Sequence, residues 1–590
     1  MSHDPAPQSD LDLSQAKVRP PGTREFTARG VIVAAGVAAV IGSAYPYVVL
    51  KLGFGPNIAV VSAFFGWLAL AAISRGVALR WESNLAQAAG TVAGQTAFMC
   101  TVLAAFDMLT RDPTAGVNMS LTRMETFLWL SSAGVLGVLL AVPMRRHFIV
   151  DEKLPYADGL AAGETLIVLD SRGAQAKLAV RSMLAGLSSS ALVTLLYMRG
   201  VIKEVTLFTA VPYSSVTGAG MSWGLLTIGS GMIIGLRICT NMLAGTLLAW
   251  YLAPVLLSDA GILAPGFKRN DLLLWVMWPA TGMMIAGGLT ALVLNWKILL
   301  RTFQQISGPN DDGEDLPLRW VAVGSVLAIV AIVLVQHLGL GMPVWQVLLA
   351  LIFTIPLMLV GLRVLGETNW GPISALSNLM QGVFGVIAPG NIPANMAASG
   401  LTGTVVATSE GLIQSFKTGD LIGSKPRYLT YVQLMAVPIG AAATAIVYPI
   451  IYAEFGPDGD QTLSSPISQK WVGFAKLLGQ GIHTLHPSAI WALGIGVALG
   501  IVFTLLEQKK SIRTWVPSPT GIGIGMLVPA FAVLSMFVGA CIDWFFRRRD
   551  PKGVDRWSLP LASGLIAGEA LIIVILSLLY ASQLMSPAAH

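Results

Sequence analysis

Charged residues are scarce in this sequence, and their scarcity excludes an ordinary soluble fold. Lysine, arginine, aspartate and glutamate make up 12% of the 590 residues, whereas hydrophobic residues make up 54%. A soluble domain carries about 25% charged residues. The 62 glycines follow no three-residue period and lie inside apolar runs, as in packed membrane helices. The composition therefore predicts an all-α polytopic integral membrane protein.

Cysteine and the common catalytic motifs are also scarce or missing. The three cysteines, Cys100, Cys239 and Cys541, form no CxxC pair, so the sequence indicates no metal site and no redox framework. No GxxxxGK[ST] loop occurs, which argues against ATP-driven pumping. HExxH is absent too, and GxSxG occurs once, at Gly220–Gly224, where a single short match is weak evidence for a hydrolase. We therefore expect no cofactor and no enzymatic activity. The net charge of +6 is accounted for by basic loops of a membrane protein, so we also expect no nucleic-acid partner.

The apolar runs predict about sixteen transmembrane helices, since a spanning helix needs roughly 20 apolar residues. A break that is rich in acidic residues, Asp311 to Asp315, separates two sets of eight. The predicted spans are 27–51, 56–79, 84–110, 125–148, 175–198, 215–236, 237–258, 272–296, 318–340, 343–365, 369–389, 392–413, 428–454, 485–506, 519–546 and 559–583. Segments 201–214 and 466–482 can be re-entrant, and 519–546 can be broken, because prolines and a glycine run open it.

These spans divide the chain into five predicted regions. They are a cytoplasmic polar tail (1–26), a first transmembrane repeat (27–296), an acidic linker (297–317), a second repeat (318–583) and a C-terminal tail (584–590). Basic residues precede the first span, which predicts a cytoplasmic N-terminus and a multi-pass protein in the lipid bilayer of the inner cell membrane. In this sixteen-span count, the basic loop Arg547–Arg549 falls on the non-cytoplasmic side of the membrane, against the tendency of basic loops to be cytoplasmic.

Two similarities link the halves and predict an internal duplication. Glu82-Ser-Asn84 recurs as Glu367-Thr-Asn369, and glycine and methionine positions of 231–250 recur in 525–544 at one constant offset. Because eight spans are an even number, the two repeats are predicted to have the same orientation. Internal repeats with a substrate site at their interface are typical of secondary transporters.

Polar residues inside apolar spans are functional candidates, because ionisable groups there cost several kcal/mol. Glu82 and Asn84 open the third predicted span, as Glu367 and Asn369 open the eleventh. A carboxylate in the first turn is also favoured simply by the helix dipole, so both interpretations stay open. Glu569 lies deep in the last span, where burial allows a carboxylate to change its charge state.

A loop after the fourth span mixes charged and small residues around a proline–tyrosine pair. It covers residues 151–165, and a counterpart in the second half runs from Glu410 to Arg427. A cytoplasmic loop followed by an interfacial helix is the plain structural interpretation.

The motifs of this chain resemble those of the oligopeptide transporter (OPT) family, which includes the yellow stripe-like metal-chelate carriers. Residues 153–166, KLPYADGLAAGETL, resemble the family signature, and 82–90 and 416–427 resemble two further elements in family order. Ala157 stands where the family often has a second proline, and Gln414 where it often has aspartate. The asparagine-proline-glycine motif of the peptide-carrying eukaryotic branch is not evident either. The chain is therefore more similar to the prokaryotic and yellow stripe-like members, and peptide or metal chelate stays open as substrate.

The resemblance implies a sixteen-helix, proton-coupled symporter of small oligopeptides or peptide-like solutes that works by alternating access. A metal-chelate or siderophore carrier is the alternative within transport. A membrane-embedded enzyme acting on a lipid-linked substrate is the alternative from another class, but the sequence shows no clustered acid/base or metal set for it. Assembly of identical subunits is left open.

A peptide-like substrate needs a carboxylate for its amine and a cation or helix N-terminus for its carboxylate. The resemblance and the internal repeat supply the candidates, except Glu569, which is chosen for its depth in the last predicted span. The substrate- or proton-binding candidates are Glu82, Asn84, Gln87, Tyr156, Asp158, Glu164, Thr165, Glu367, Asn369 and Glu569. The candidates for gate or cytoplasmic charges are Lys153, Lys417, Asp420, Lys425 and Arg427.

Overall fold

The computed structural model is almost entirely helical, with one short β-hairpin among the described residues. The prediction of an all-α polytopic protein is confirmed. The structure describes residues 24–52, 55, 58–74, 79–170, 174–203, 205–294, 315–368, 371–455, 463, 465–480, 486–509, 511–512, 515–550 and 554–581.

The elements before residue 295 begin with a long helix and include the β-hairpin. They are α1 (Ala28–Leu52), α2 (Ile58–Ile73), α3 (Arg80–Phe98), α4 (Cys100–Arg111), α5 (Arg123–Ala141), a π-helical turn (Arg146–Asp151), α6 (Ala157–Asp170), α7 (Ala174–Met198), β1 (Val205–Leu207), a one-turn helix (Ser214–Thr217), β2 (Gly220–Ser222), α8 (Leu225–Ile234), α9 (Leu236–Thr246), a second π-helical turn (Leu247–Leu252), α10 (Ala253–Asp259) and α11 (Arg269–Leu294). β1 pairs antiparallel with β2, with Thr206 opposite Met221.

The elements after residue 314 are helical throughout the described part. They are α12 (Leu318–Leu340), α13 (Val344–Thr368), α14 (Ile373–Ile387), α15 (Ile392–Ile422), α16 (Pro426–Phe455), α17 (Pro466–Gln480), α18 (Pro487–Glu507), α19 (Pro519–Leu527), α20 (Ala530–Arg549), a 3₁₀ turn (Val554–Arg556) and α21 (Ser558–Ala581).

Ten helical stretches in the described residues are long and apolar enough to cross a membrane, so the count of sixteen is not confirmed. Several predicted spans are shorter helices, among them α8 and α14. The predicted break in 519–546 is present, because Pro529 separates α19 from α20. The segment 201–214, considered as a re-entrant piece, instead contributes β1 and the loop that leads to the one-turn helix.

Two ion pairs mark opposite ends of the molecule. Arg80, which begins α3, lies 3.9 Å from Asp170, which ends α6. Lys476 of α17 pairs with Asp112, which follows α4. Because α3 and α4 continue each other with a break at Met99, the two pairs lie at the two ends of one 32-residue stretch. We call these the Arg80 end and the Asp112 end; α7 begins at the first and α18 at the second.

Close contacts between glycines and backbone carbonyls relate two parts of the chain by a two-fold axis. A methyl group added at any of four glycines would overlap a carbonyl of the partner segment. The four contacts form two pairs. Within a pair, adding 294 to the lower residue number of one contact and subtracting 294 from the higher number gives the two residues of the other contact. The exchanging contacts are Gly231–Met536 with Gly525–Met242, and Gly245–Ile522 with Gly539–Ile228. The recurrence of 231–250 in 525–544 is therefore a structural repeat, formed by α8–α9 and α19–α20.

The related segments run in opposite directions across the molecule. α7, which precedes α8–α9, runs from the Arg80 end towards the Asp112 end. α18, which precedes α19–α20, runs from the Asp112 end towards the Arg80 end. The prediction of two repeats in the same orientation is therefore wrong for these segments. The reason is α12, which was counted as the first helix of the second repeat but is an additional crossing. A second pair of similar contacts supports this. Gly90 of α3 lies against Ser62 of α2, and Gly403 of α15 lies against Ser377 of α14, so α2–α3 correspond to α14–α15 and the second repeat begins after α12.

Candidate functional site

The helix α15 lies in the centre of the molecule and is buried over most of its 31 residues. It packs against α3, α5, α13, α14 and α16. Its sequence is rich in serine, threonine, glycine and alanine, and small residues allow helices to approach closely. Gly400, for example, lies directly against the ring of Trp129. The centre of the protein is therefore tightly packed and polar rather than uniformly apolar.

Glu410 is the charged residue in the middle of α15. It is 2% exposed, and its Oε1 is buried without a hydrogen-bond partner. Twelve residues separate it from the helix end at Ile422, which is about 18 Å at 1.5 Å per residue. Among the described residues, no lysine, arginine or histidine forms an ion pair with it. A buried charge without a partner costs several kcal/mol, so Glu410 requires a proton or a cationic ligand.

The carboxylate of Glu410 lies against the chain that connects α13 to α14. A side chain at Gly371 would overlap it, and the position of Gly361 on α13 is close as well. α14 begins two residues after Gly371, with Pro372 as its N-cap. The amides of a first helical turn have no partner inside the helix, and they favour negative charge. The start of α14 is therefore an electropositive position beside a buried carboxylate.

Lys470 approaches the same connection from α17. The residue is 1% exposed, and its ammonium donates a hydrogen bond to the Ser374 hydroxyl. The indole of Trp471 also donates to this oxygen, at 3.3 Å. In the part of the chain that the structure describes, no carboxylate lies within 4.0 Å of the ammonium. Lys470 thus resembles Glu410 in being a buried ionisable group without an opposite charge.

One polar face of α14 joins these groups. Ser374, Asn378 and Gln381 follow each other at helical spacing, and the Gln381 amide donates to the Trp471 carbonyl at 3.1 Å. This face is therefore directed at α17. Asn378 is 1% exposed, and neither atom of its amide group has a hydrogen-bond partner. Because Gly371 and Ser374 are three residues apart, Glu410 and Lys470 flank the first turn of α14, where a zwitterion could be bound by both charges.

Glu82 and Asn84, predicted as substrate residues, lie at the Arg80 end. Glu82 is fully buried and accepts hydrogen bonds from the guanidinium of Arg29, the shortest at 2.7 Å, and from Thr27 at 2.5 Å. Asn84 donates to Ser424 at 3.0 Å, which joins α3 to the end of α15. Glu82 therefore has a cationic partner, and this geometry fixes the start of α1 against α3.

The other candidates before residue 170 have mixed surroundings. Gln87 donates to Thr91 at 2.9 Å, but its carbonyl oxygen is buried without a partner. Thr165 donates to the carbonyl of Ala161 within α6. Asp158 and Glu164 are half-buried on the same helix. Their part in binding stays a prediction.

Tyr156 holds the loop before α6 to α13. Its hydroxyl donates to the Leu362 carbonyl at 2.9 Å, and its amide to that of Gly366 at 3.3 Å. The residue is fully buried and has a φ of +40°, which is uncommon for a non-glycine residue. These contacts indicate that its side chain positions the loop.

The two motif segments with basic residues meet at the Arg80 end. Thr418 donates to the carbonyl of Gly159 at 2.7 Å, so α6 packs along the end of α15. Of the predicted gate charges, Lys153, Asp420 and Lys425 are exposed and Lys417 is half-buried. Arg427 is half-buried over the ring of Tyr428, 5.0 Å from its centroid. The structure therefore brings these charges to one end of the molecule.

The remaining candidates differ from expectation. Glu367 lies in the last turn of α13 and does not open a helix, so its proposed equivalence with Glu82 is wrong. The side chain of Glu367, and Asn369 altogether, lie outside the described residues. Glu569 pairs with Lys51 at 2.8 Å and accepts from the amide of Leu226 at 3.0 Å. Glu569 is therefore a carboxylate with its own counter-ion.

Sequence reasoning missed Lys470, Ser374 and Asn378, and it named Glu410 only as the start of a counterpart loop. One signal was available for Glu410, because a single acidic residue stands in the run 392–416, which otherwise contains no charged residue. Lys470 gave no comparable signal, since its segment also contains a second lysine, Lys476.

Repeats of opposite orientation around a buried polar centre define a secondary transporter architecture. The family model described as OPT oligopeptide transporter protein matches residues 25–580, and the chain belongs to this family. "Putative oligopeptide transporter YGL114W" of Saccharomyces cerevisiae is 22% identical over 633 residues, covering 84% of this chain and 86% of the relative. Metal-nicotianamine transporter YSL2 of Arabidopsis thaliana is 23% identical over 650 residues, covering 96% and 95%. The protein is therefore a transporter and not an enzyme.

Proposed function

We propose that this protein is a proton-coupled symporter of small, zwitterionic, peptide-like solutes. The observation that carries the proposal is Glu410, a buried carboxylate without a counter-ion beside the start of α14. A proton on Glu410 neutralises it while the loaded site crosses the membrane interior, and the substrate ammonium donates a hydrogen bond to the remaining carboxyl oxygen. Proton and solute then move in the same direction. The opposite orientation of the repeats supports alternating access, in which they move around a site near the midplane.

We also propose that the Arg80 end faces the cytoplasm of an inner cell membrane, with the N-terminus on that side. Arg145, Lys425 and the last turn of α20, Arg547–Arg549, support this, because all lie at the Arg80 end. This turn lies there since Asp543 of α20 accepts from Ser558, which begins α21, and α21 runs parallel to α7. The sixteen-span count gave the opposite side because it treated α19–α20 as one crossing.

For the domain organisation, we propose repeats of residues 28–294 and 344–581, with α12 joining them. The predicted boundary at 318 placed α12 inside the second repeat. The predicted polar tail (1–26), acidic linker (297–317) and C-terminal tail (584–590) lie mostly or wholly outside the described residues, and their limits stay predictions.

Uptake by proteoliposomes tests the proton-coupled function. A mixed pool of di- to hexapeptides is offered with and without an inward proton gradient, and accumulation is read by mass spectrometry. We expect gradient-dependent accumulation by the natural protein. Glu410→Gln should lower it at least tenfold while counterflow exchange of the same peptide continues, because exchange needs no net proton movement.

The matched control is Glu507→Gln, which removes a carboxylate from an exposed pair with Arg237. This variant should accumulate peptide like the natural protein. Full gradient-driven accumulation by Glu410→Gln would contradict the role of Glu410. Absence of any gradient effect in the natural protein would contradict proton coupling.

A metal chelate is the second candidate substrate, and the long alignment with a metal-nicotianamine transporter favours it. The same vesicles are offered nicotianamine alone and nicotianamine with iron. Uptake that requires iron, with no peptide accumulated, would assign the protein to chelate transport.

A further inference from the structure

We infer that Lys470, the first turn of α14 and Asn378 form a binding site for a carboxylate group of the transported molecule. This inference rests on the proposed function and names the chemistry of its substrate. Peptides with a free C-terminus and nicotianamine chelates both carry the carboxylate in question.

The first argument is the unpaired charge of Lys470. The ammonium is buried between α17 and α14, and its one hydrogen-bond partner among the described residues is the neutral hydroxyl of Ser374. An ammonium loses strong hydration on burial, and a neutral hydroxyl replaces little of it. A carboxylate placed beside Lys470 would form a charge-assisted hydrogen bond and remove the unpaired charge.

The second argument is the direction of the neighbouring donors. The N-terminal amides of a 15-residue helix, α14, open towards the connection at Gly371 and Pro372. Asn378 lies one turn further on the face that carries Ser374, and its buried amide donors have no partner. Buried amide groups of folded proteins are nearly always hydrogen-bonded, so an unsatisfied one beside a helix start and an ammonium indicates a missing acceptor.

The third argument is the position of Glu410 across the same turn. A substrate whose carboxylate is bound at Lys470 would have its ammonium group free to donate to a carboxyl oxygen of Glu410, beside Gly371. The site would then recognise both charges of a zwitterion with two residues from opposite sides. Removal of the carboxylate charge from the substrate should therefore weaken the contacts with Lys470 and Asn378 and leave the contact with Glu410 unchanged.

Equilibrium binding to the purified full-length protein in detergent tests this assignment. The probes are trialanine and trialanine amide, and nicotianamine and its trimethyl ester. We expect the natural protein to bind at least one free acid at least tenfold more tightly than its uncharged derivative. Lys470→Gln should lose this preference while its affinity for the derivative stays unchanged, and Lys470→Arg should restore part of the preference.

Lys476→Gln is the matched control, because Lys476 lies on the same helix but pairs with Asp112 at the Asp112 end. It should keep the full preference for the free acid. Asn378→Ala provides a second test if Lys470→Gln fails to fold, and it should lower the preference several-fold. Equal affinities of the natural protein for acid and derivative, binding of neither acid, or an unchanged preference in folded Lys470→Gln would each overturn the inference.

The two proposals fail in different ways. A natural protein that prefers the free acid but shows no gradient-driven uptake keeps the carboxylate site and loses proton coupling. A protein that accumulates acid and amide alike under a gradient keeps proton coupling and loses the carboxylate site.

Discussion

Two lysine–glutamate combinations are buried in this protein, and they are arranged in opposite ways. Lys51 and Glu569 lie 2.8 Å apart, and Glu569 also accepts from the first turn of α8. Lys470 and Glu410 are buried just as deeply, but each faces the connection at the start of α14 and neither has an opposite charge among the described residues.

The difference separates a structural ion pair from a ligand site. A closed pair such as Lys51–Glu569 recovers part of its desolvation cost within the folded chain. It joins α1, α8 and α21 and leaves neither charge for a solute. The separated charges of Lys470 and Glu410 recover that cost only when a ligand is bound. The empty site is therefore unfavourable, and ligand binding is correspondingly more favourable.

The largest expected effect is the loss of stability when the Lys51–Glu569 ion pair is disrupted. Lys51→Met leaves Glu569 as an unpaired buried carboxylate and should lower the free energy of unfolding by about 3–5 kcal/mol. Lys470→Met removes a charge that is already unpaired, so it should cost much less or increase stability. Reversible unfolding in mixed detergent micelles measures both. Equal losses in the two variants would contradict the distinction between the pair and the site.

A smaller loss is expected where the repeats cross. Gly525→Ala places a methyl group on the carbonyl of Met242, and overpacking of this kind costs about 1–3 kcal/mol. Gly494→Ala is the control, because the space around Gly494 is open and alanine favours helix. The same unfolding assay should show a loss for the first variant and little change or a gain for the second. Equal behaviour would contradict the close crossing.

The paired carboxylate at the Arg80 end should affect transport less than Glu410 does. Glu82→Gln removes the charged partner of Arg29, whose side chain is 41% exposed and can be hydrated, and glutamine keeps a hydrogen-bond acceptor for Thr27 and Arg29. We expect gradient-driven peptide accumulation to stay within about twofold of the natural protein, whereas Glu410→Gln loses it. Loss of proton coupling in Glu82→Gln, with exchange retained, would return the proton role to Glu82.

The smallest expected effect is a pH dependence from the π-helical turn after α5. Burial lowers the pKa of His147; nearby Glu152 opposes this shift and Arg363 adds to it. The unfolded chain therefore takes up a proton at a higher pH than the folded protein does. The contribution of His147 to the free energy of unfolding should be fully present above the ordinary histidine pKa, about 6.5, and should decrease as the pH drops below it.

Unfolding of the natural protein and of His147→Gln between pH 5 and pH 8 measures this contribution. The difference in stability between the two proteins should change below about pH 6.5, because glutamine does not titrate there. A difference that stays constant across this range would contradict the contribution of His147.

The sequence predicts the class of fold because hydrophobicity is a one-dimensional property of the chain. Apolar runs located most long helices, such as α12 and α16, and proline with glycine located the break after α19. The recurrence of 231–250 was also visible. Orientation was not, since it depends on whether one helix, α12, belongs to a repeat or lies between repeats.

The candidate site was harder to predict because its parts come from distant segments. Motif similarity led to Glu82 and Asn84, which lie in a packed and paired region at one end. Lys470 and Glu410 are 60 residues apart in sequence and come together only through the first turn of α14. Burial without a partner is a three-dimensional property, and no local pattern around Lys470 indicates it.

The exchanging contacts at Gly231 and Gly525 have a geometric consequence for the transport cycle. If the conformations of the two repeats are interchanged, the molecule is turned into one that opens towards the other compartment, with the same four glycines touching the same carbonyls. The crossing of α8–α9 with α19–α20 would then serve as a fixed pivot that both forms share. Under the proposed alternating access, the second state of this protein is related to the first by the exchange of conformations between the two repeats.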